Sequence, residues 1–295
     1  MLNRTDNLNI ILRGLMADCR QESLALPPSI AEKQRLMRAL MNVREPLPAS
    51  DAFLEAQDAE LRQQREEKKG ASPPFPASPL TPLQRARGTF RERGEITTAD
   101  GERWLTFSLP SPLGEGSGVR LFLWKGDITR LQVDAIVNAA NAQGLGCWAP
   151  LHMCIDNCIH SAAGIQLRQE CNDILRGRLL GTGEAMITKG YNLPAKYVIH
   201  TVGPIIETGI PSEEQEEQLA QCYRSCLDLA EENRLESIAF CCISTGVFRF
   251  PAERAAEIAI KTVKEYPLKT VKSVVFNVFS DRDYDIYIEK LKVES

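Results

Sequence analysis

Residues 120–141 read RLFLWKGDITRLQVDAIVNAAN. Two short apolar runs, Arg120 to Lys125 and Ala135 to Asn138, each give way to small and polar residues: Gly126-Asp127-Ile128-Thr129 after the first, Ala139-Ala140-Asn141 after the second. Brief apolar runs bounded by turn residues are the pattern of strands buried on both faces. The pattern returns at Glu184 to Thr188, Tyr197 to Val202, Ser237 to Ile243 and Ser273 to Phe279. Helical spacing fills the gaps at Ile155 to Cys171, Gln215 to Asn233 and Pro251 to Tyr266. Strands alternating with helices predict an α/β sandwich, a largely parallel sheet covered by helices. Ligands in such sheets bind at the carboxyl ends of the strands, so the loops after them are where a site is expected.

Upstream of Val119 the pattern changes. Residues 1–69 read as a helical extension. Ser29 and Glu32 have the form of a capping box, with Leu36, Met37, Leu40 and Met41 on one face behind them. A further helix is predicted to start at Ser50 or Asp51 and run through Phe53, Leu54 and Leu61 into the charged stretch Arg65 to Lys69. Five prolines between Gly70 and Pro82 predict an extended linker. Thr89 to Phe107 has room for one or two strands, and Pro110 to Gly118 reads as a loop. The expected division is therefore 1–69, a connecting region 70–118, and a main domain 119–295.

Composition narrows the function. A net charge of −4 gives no electrostatic footprint for nucleic acid. Charges interrupt every long apolar stretch, so no membrane span is expected. The opening residues lack the basic flank and apolar stretch of a secretory signal, which predicts an intracellular, cytoplasmic protein. Six of the nine cysteines sit in apolar or helical patterns as small hydrophobes. The other three, Cys147, Cys154 and Cys158, fall in one segment with His152 and His160, two of only three histidines.

Thiols and imidazoles are the donors that zinc prefers. His152 and Cys154, two apart in a loop, can point to one centre. His160, one helical turn beyond Asp156 and on the same face, can turn back toward it. Three protein ligands, His152, Cys154 and His160, would leave a coordination position open, as in catalytic zinc sites. The alternative makes Cys158 and His160 ordinary helix residues and Cys154 a core thiol. A last loop, Ser244-Thr245-Gly246-Val247-Phe248-Arg249-Phe250-Pro251, joins a strand end to a helix started by proline. Its N–H groups, with the helix N-terminus behind them, suit a diphosphate.

Taken in order, Gly-Asp-Ile-Thr, Val-Asn-Ala-Ala-Asn, Ile-Asp-Asn-Cys-Ile-His-Ser-Ala-Ala-Gly and Ser-Thr-Gly-Val-Phe-Arg-Phe-Pro resemble the macrodomain family over about Val119 to Leu291. The His-x-Cys segment is similar to the zinc-dependent branch of protein ADP-ribosyl hydrolases. Arg44-Glu45-Pro46-Leu47-Pro48 and the helix before it are similar to that branch's N-terminal extension. The resemblance implies a three-layer α/β/α sandwich that binds ADP-ribose and, with Zn2+, removes mono-ADP-ribose from protein side chains, commonly acidic ones. Asp127 would accept from the adenine amino group beside Ile128, and Phe279 would pack on the adenine face. Ser244, Thr245, Gly246, Val247 and Phe248 would hold the diphosphate. Asn141 would bind the distal ribose, and Asp156 would stand beside the scissile bond. A lipoyl-carrier protein is the partner that the resemblance suggests. A non-catalytic reader with structural zinc and a deacetylase of O-acetyl-ADP-ribose are the competing expectations. The chain departs from the family's pattern in two places. The glycine run between the asparagine and the aspartate is reduced to Gly144 and Gly146 ahead of the Cys147 to Cys154 insertion, and Arg249 stands where many relatives have glycine.

Overall fold

The computed structural model describes residues 3–68, 94–97, 103–108 and 118–293. Three helices come first: α1 (Arg4–Asp18), α2 (Ile30–Val43) and α3 (Asp51–Glu67). Each starts at a side-chain cap, because the first N–H groups of a helix have no partner inside it. Asn3 caps α1 and Ser50 caps α3, while Ser29 and Glu32 close the expected capping box on α2. The apolar stripes turn toward one another. Leu8, Ile11, Leu12 and Leu15 of α1, Met37 and Leu40 of α2, and Phe53 of α3 bury in a core of their own, which Ile165 of the main domain joins.

Among the described residues, eight strands form one mixed sheet in the order β1-β2-β3-β8-β7-β4-β6-β5. Its centre is parallel: β3 (Arg120–Lys125), β8 (Ser273–Val278), β7 (Ser237–Phe240), β4 (Ala135–Ala139) and β6 (Tyr197–Thr201). Both edges are antiparallel, with β5 (Ala185–Lys189) on β6 and the pair β1 (Gly94–Thr97) and β2 (Arg103–Ser108) extending from β3. The ambiguous stretch before Phe107 thus holds two strands, and the sheet begins before Val119. The linker expected at Gly70 to Pro82 and the loop expected at Pro110 to Gly118, apart from its last residue, lie outside the described residues.

Period-two alternation sends neighbouring side chains of a strand to opposite faces, and β6 shows which helices cover which. His200 faces α4 (Ile155–Ala163) and α5 (Ile165–Leu175), with its imidazole 3.7 Å from Cys171 Sγ. The next residue, Thr201, faces Cys222 and Cys226 of α6 (Glu213–Glu232). Helix α7 (Ala252–Glu265) packs on α6, and α8 (Asp281–Val293), which periodicity did not reveal, packs on α7 and β3. The result is the expected three-layer sandwich, with the N-terminal helices stacked outside α4. Among the described residues no helix is long and apolar enough to cross a membrane.

The single helix expected from Ile155 to Cys171 is broken at Gly164, which has φ of +102°. Any side chain would be strained at that φ, and its Cβ would lie 2.6 Å from Gln57 Nε2 of α3, so that Gln57 would have to move. The amide freed by the break is not orphaned, since Ile165 N–H donates to Gln57 Oε1 at 3.0 Å. The extension and the break belong together: α3 supplies the acceptor that the broken helix needs.

Arg168 of α5 makes the second tie. The residue is 5% exposed, and its guanidinium donates to the carbonyls of Met41, Asn42 and Arg44 at the end of α2 and of Leu145 in the loop after β4. It also lies over the Trp148 ring at 4.2 Å. The last carbonyls of a helix lack partners and carry its negative end, so a cation satisfies both needs. Arg168→Met keeps the aliphatic packing and strands those carbonyls. It should lower unfolding free energy by about 3 kcal/mol, measured by urea titration.

Candidate active site

The parallel strands end together, and their loops enclose a cavity of about 840 Å3, in the size range of ligand pockets. Helices α2 and α3 wall its other side with Met37, Arg38, Met41, Leu61, Arg65 and Lys68. Every residue expected to touch ligand or metal lines this cavity except His160.

At the β3 end, Asp127 Oδ1 accepts from the N–H and hydroxyl of Thr129 at 3.0 and 2.7 Å. Those bonds cap the short 3-10 turn Ile128–Arg130. Its Oδ2 lies 3.3 Å from Lys68 Nζ. Burial opposes ionisation, but Thr129 and the Lys68 ammonium outweigh it and hold this carboxyl below its ordinary value. Nearby Phe279 is 79% exposed, so its ring is free for a ligand rather than committed to the core.

The turn after β7 is bent by backbone that non-glycine residues resist: Ser244 has φ of +64° and Arg249 of +58°. Glycine takes either value without penalty, whereas a serine or an arginine must be held there by its surroundings. Among the described residues, the N–H groups of Gly246, Val247 and Phe248 have no acceptor in the protein. Successive free N–H groups in a bent turn form an anion cradle.

Asp156 is buried beneath the cavity floor in a polar network. Asn138 Nδ2 donates to Asp156 Oδ1 at 2.8 Å and also contacts His200 Nδ1 at 3.1 Å. Using both amide hydrogens in this way makes His200 Nδ1 an acceptor and puts the imidazole proton on Nε2, 2.9 Å from Thr188 Oγ1. Burial keeps the ring neutral, pushing its pKa down to about 3. The second carboxylate oxygen of Asp156 lies 3.4 Å from Asn141 Nδ2. Burial pushes this carboxyl up to about 6 against the pull of Asn138 and Arg168. Asn141 also shapes the loop, accepting from Gln143 and Gly144 N–H and donating to Gly146 O.

His152 and Cys154 come together as expected, but their companion is Cys147. The sulfurs and imidazole nitrogen of the three lie within 4.8 Å of one another, with Cys147 Sγ 3.4 Å from His152 Nδ1. His160 is placed elsewhere. Because Cys154 is the N-cap of α4, His160 stays on the face of Asp156 and points inward. There it packs 5.8 Å from the His200 ring and against Gly146, whose positive φ and missing side chain make room for it. Sequence reasoning missed Cys147, although it lies in the segment already singled out, five residues before His152. It also missed Asn138, the first asparagine of Val-Asn-Ala-Ala-Asn.

The Cys147, His152 and Cys154 set suits a soft or borderline divalent cation. Two thiols and an imidazole are zinc donors, and all three border the cavity. Burial, assisted by the neighbouring Cys147, pushes the Cys154 thiol up to about 12, against a hydrogen bond from Asn157 N–H. A cation would reverse that balance, since it stabilises both thiolates.

A macro domain family model matches residues 137–259. A protein-ADP-ribose hydrolase of Staphylococcus aureus is 43% identical over 287 residues, covering 94% of each chain. One from Treponema medium is 45% identical over 266 residues, covering 89% of this chain and 88% of the relative. Among solved structures, an Oceanobacillus iheyensis macrodomain with ADP superposes with a TM-score of 0.55 at 43% identity, over 60% of this chain and 92% of that one. A Trypanosoma brucei macrodomain in complex with ADP-ribose gives 0.50 at 40% identity, over 58% and 68%. The placement of the thiols leads to a direct expectation: folded Cys147→Ser protein should bind less zinc than the parent, while folded His160→Gln should bind as much, read by metal content after purification.

Proposed function

The chain belongs to the macrodomain family, and from that premise we propose that it hydrolyses mono-ADP-ribose from the side chains of modified proteins with a zinc ion held by Cys147, His152 and Cys154. The observation that carries the reading is that this donor set opens on the same cavity as Asp156, Asn141 and the strand-end loops. The activity printed in the names of the staphylococcal and treponemal relatives supports it.

In this reading Asp127 accepts from the adenine amino group in exchange for Lys68, and Phe279 covers the ring beside Ile128. The free N–H groups of Gly246, Val247 and Phe248 receive the diphosphate, with Ser244 and Thr245 shaping the turn that presents them. Asn141 positions the distal ribose over Asp156. The substrate bond joins that ribose to an acidic side chain. Water oxygen bonds to the anomeric carbon of the ribose as the bond from that carbon to the side-chain oxygen breaks, and the side chain leaves as its carboxylate. The proton that water gives up passes to the Asp156 carboxylate, which Asn138, itself bonded to His200, holds in place. When bound, zinc supplies Lewis acidity and eases deprotonation of water. A lipoyl-carrier protein is the first modified substrate to try.

The test is release of ADP-ribose from a protein mono-ADP-ribosylated on acidic residues, with and without a zinc chelator. Chelator-sensitive release with about one zinc per chain is expected. Stoichiometric zinc and tight ADP-ribose binding without release would make the protein a reader, and preference for a small acetyl ester would make it a deacetylase. Asp156→Asn should lower kcat on the order of 10²- to 10⁴-fold while ADP-ribose still binds. Phe279→Ala should weaken ADP-ribose binding by roughly 1–3 kcal/mol with zinc content unchanged, measured by calorimetry.

A further inference from the structure

Leu151, directly before His152, has φ of +60°. A leucine resists this conformation, and such backbone persists only where its surroundings hold it. The hold comes from the N-terminal extension. Asn42, at the end of α2 and 2% exposed, accepts the Leu151 N–H on Oδ1 at 2.9 Å. Its Nδ2 donates to Ser161 Oγ at 3.1 Å, Ser161 donates to Asn157 Oδ1, and Asn157 Nδ2 donates to Ala149 O at 3.0 Å. Arg38, one turn earlier on α2, reaches His152 O at 3.3 Å. The turn from Ala149 to His152 is therefore gripped on both sides, and it is the turn that brings His152 and Cys154 back against Cys147.

Resting on the zinc reading, we infer that α2 presets the metal loop, with Asn42 as its principal positioning residue and Arg38 as its second. Neither touches the metal donors' bonding atoms. Their effect is to keep the loop in its metal-ready shape before an ion arrives, so that binding need not order it. This gives the N-terminal helices a role beyond walling the cavity: the extension and the metal site become one unit.

The experiment titrates zinc into metal-stripped, full-length protein against a chromogenic chelator, with circular dichroism confirming the fold. Asn42→Ala should weaken zinc binding on the order of 10- to 100-fold. Leu151→Gly in that background should recover part of the loss, because glycine adopts positive φ without the penalty that Asn42 offsets. General destabilisation would not be rescued in this way. If Asn42→Ala fails to fold, Arg38→Met is measured instead and should also weaken binding. Zinc affinity equal to the parent's in the measured variant, or a loss that Leu151→Gly leaves untouched, overturns the inference. If the parent itself takes up no zinc, the zinc reading falls, whereas a zinc-binding parent matched by its variants removes the inference alone.

Discussion

One buried guanidinium joins the parts of this molecule. Removing Arg168 from water is unfavourable unless its donors are satisfied, and a charge left unpaired inside a protein is costly. Its partners are carbonyls of Met41, Asn42 and Arg44 on one side and Leu145 on the other. Those acceptors converge on it because the end of α2 and the loop after β4 meet at α5. Trp148 covers the guanidinium face, so the loop carrying Cys147, His152 and Cys154 is drawn into the same junction. Together with Gln57 at the Gly164 break, this contact decides how the extension sits, and hence which residues wall the cavity.

The cavity itself combines a rigid floor with strained rims. Five parallel strands end at one level, so Asp127, Asn141, Ser244 and Phe279 converge although they are far apart in the chain. Leu151, Ser244 and Arg249 all take left-handed backbone in the loops around it. Local strain gathered at the place where a ligand would bind is what a fold tolerates when the surrounding contacts over-determine it. Below the rim, Asn138 spends both amide hydrogens on Asp156 and His200, which leaves Asp156 little freedom to turn away from the cavity.

Much of this was readable from the chain. The strand runs, the helix starts at Ser29 and Ser50, and the strand-end loops are local patterns, and local patterns survive folding. The break at Gly164 was not readable, because helical spacing runs on through it; the positive φ of Gly164 and the Gln57 acceptor for Ile165 N–H come from the tertiary fold. The N-terminal strands were ambiguous for a similar reason, since edge strands need a neighbour to be recognised. His160 shows the limit most sharply. Its spacing from Asp156 was read correctly as one helical face, but that face points into the core toward His200, and spacing along a helix does not say which neighbour the face will meet.

The residues alone therefore determined the α/β alternation, the family resemblance, and the small group of thiols and imidazoles from which a metal site could be built. Hydrophobic periodicity and short-range capping depend on neighbours within a few positions, so they are written in the sequence. Tertiary structure decided the choice among those donors. Cys147 joins His152 and Cys154 because the Ala149 to His152 turn is folded back by Asn42, a residue 109 positions from Leu151, and no local pattern encodes a hydrogen bond across that distance.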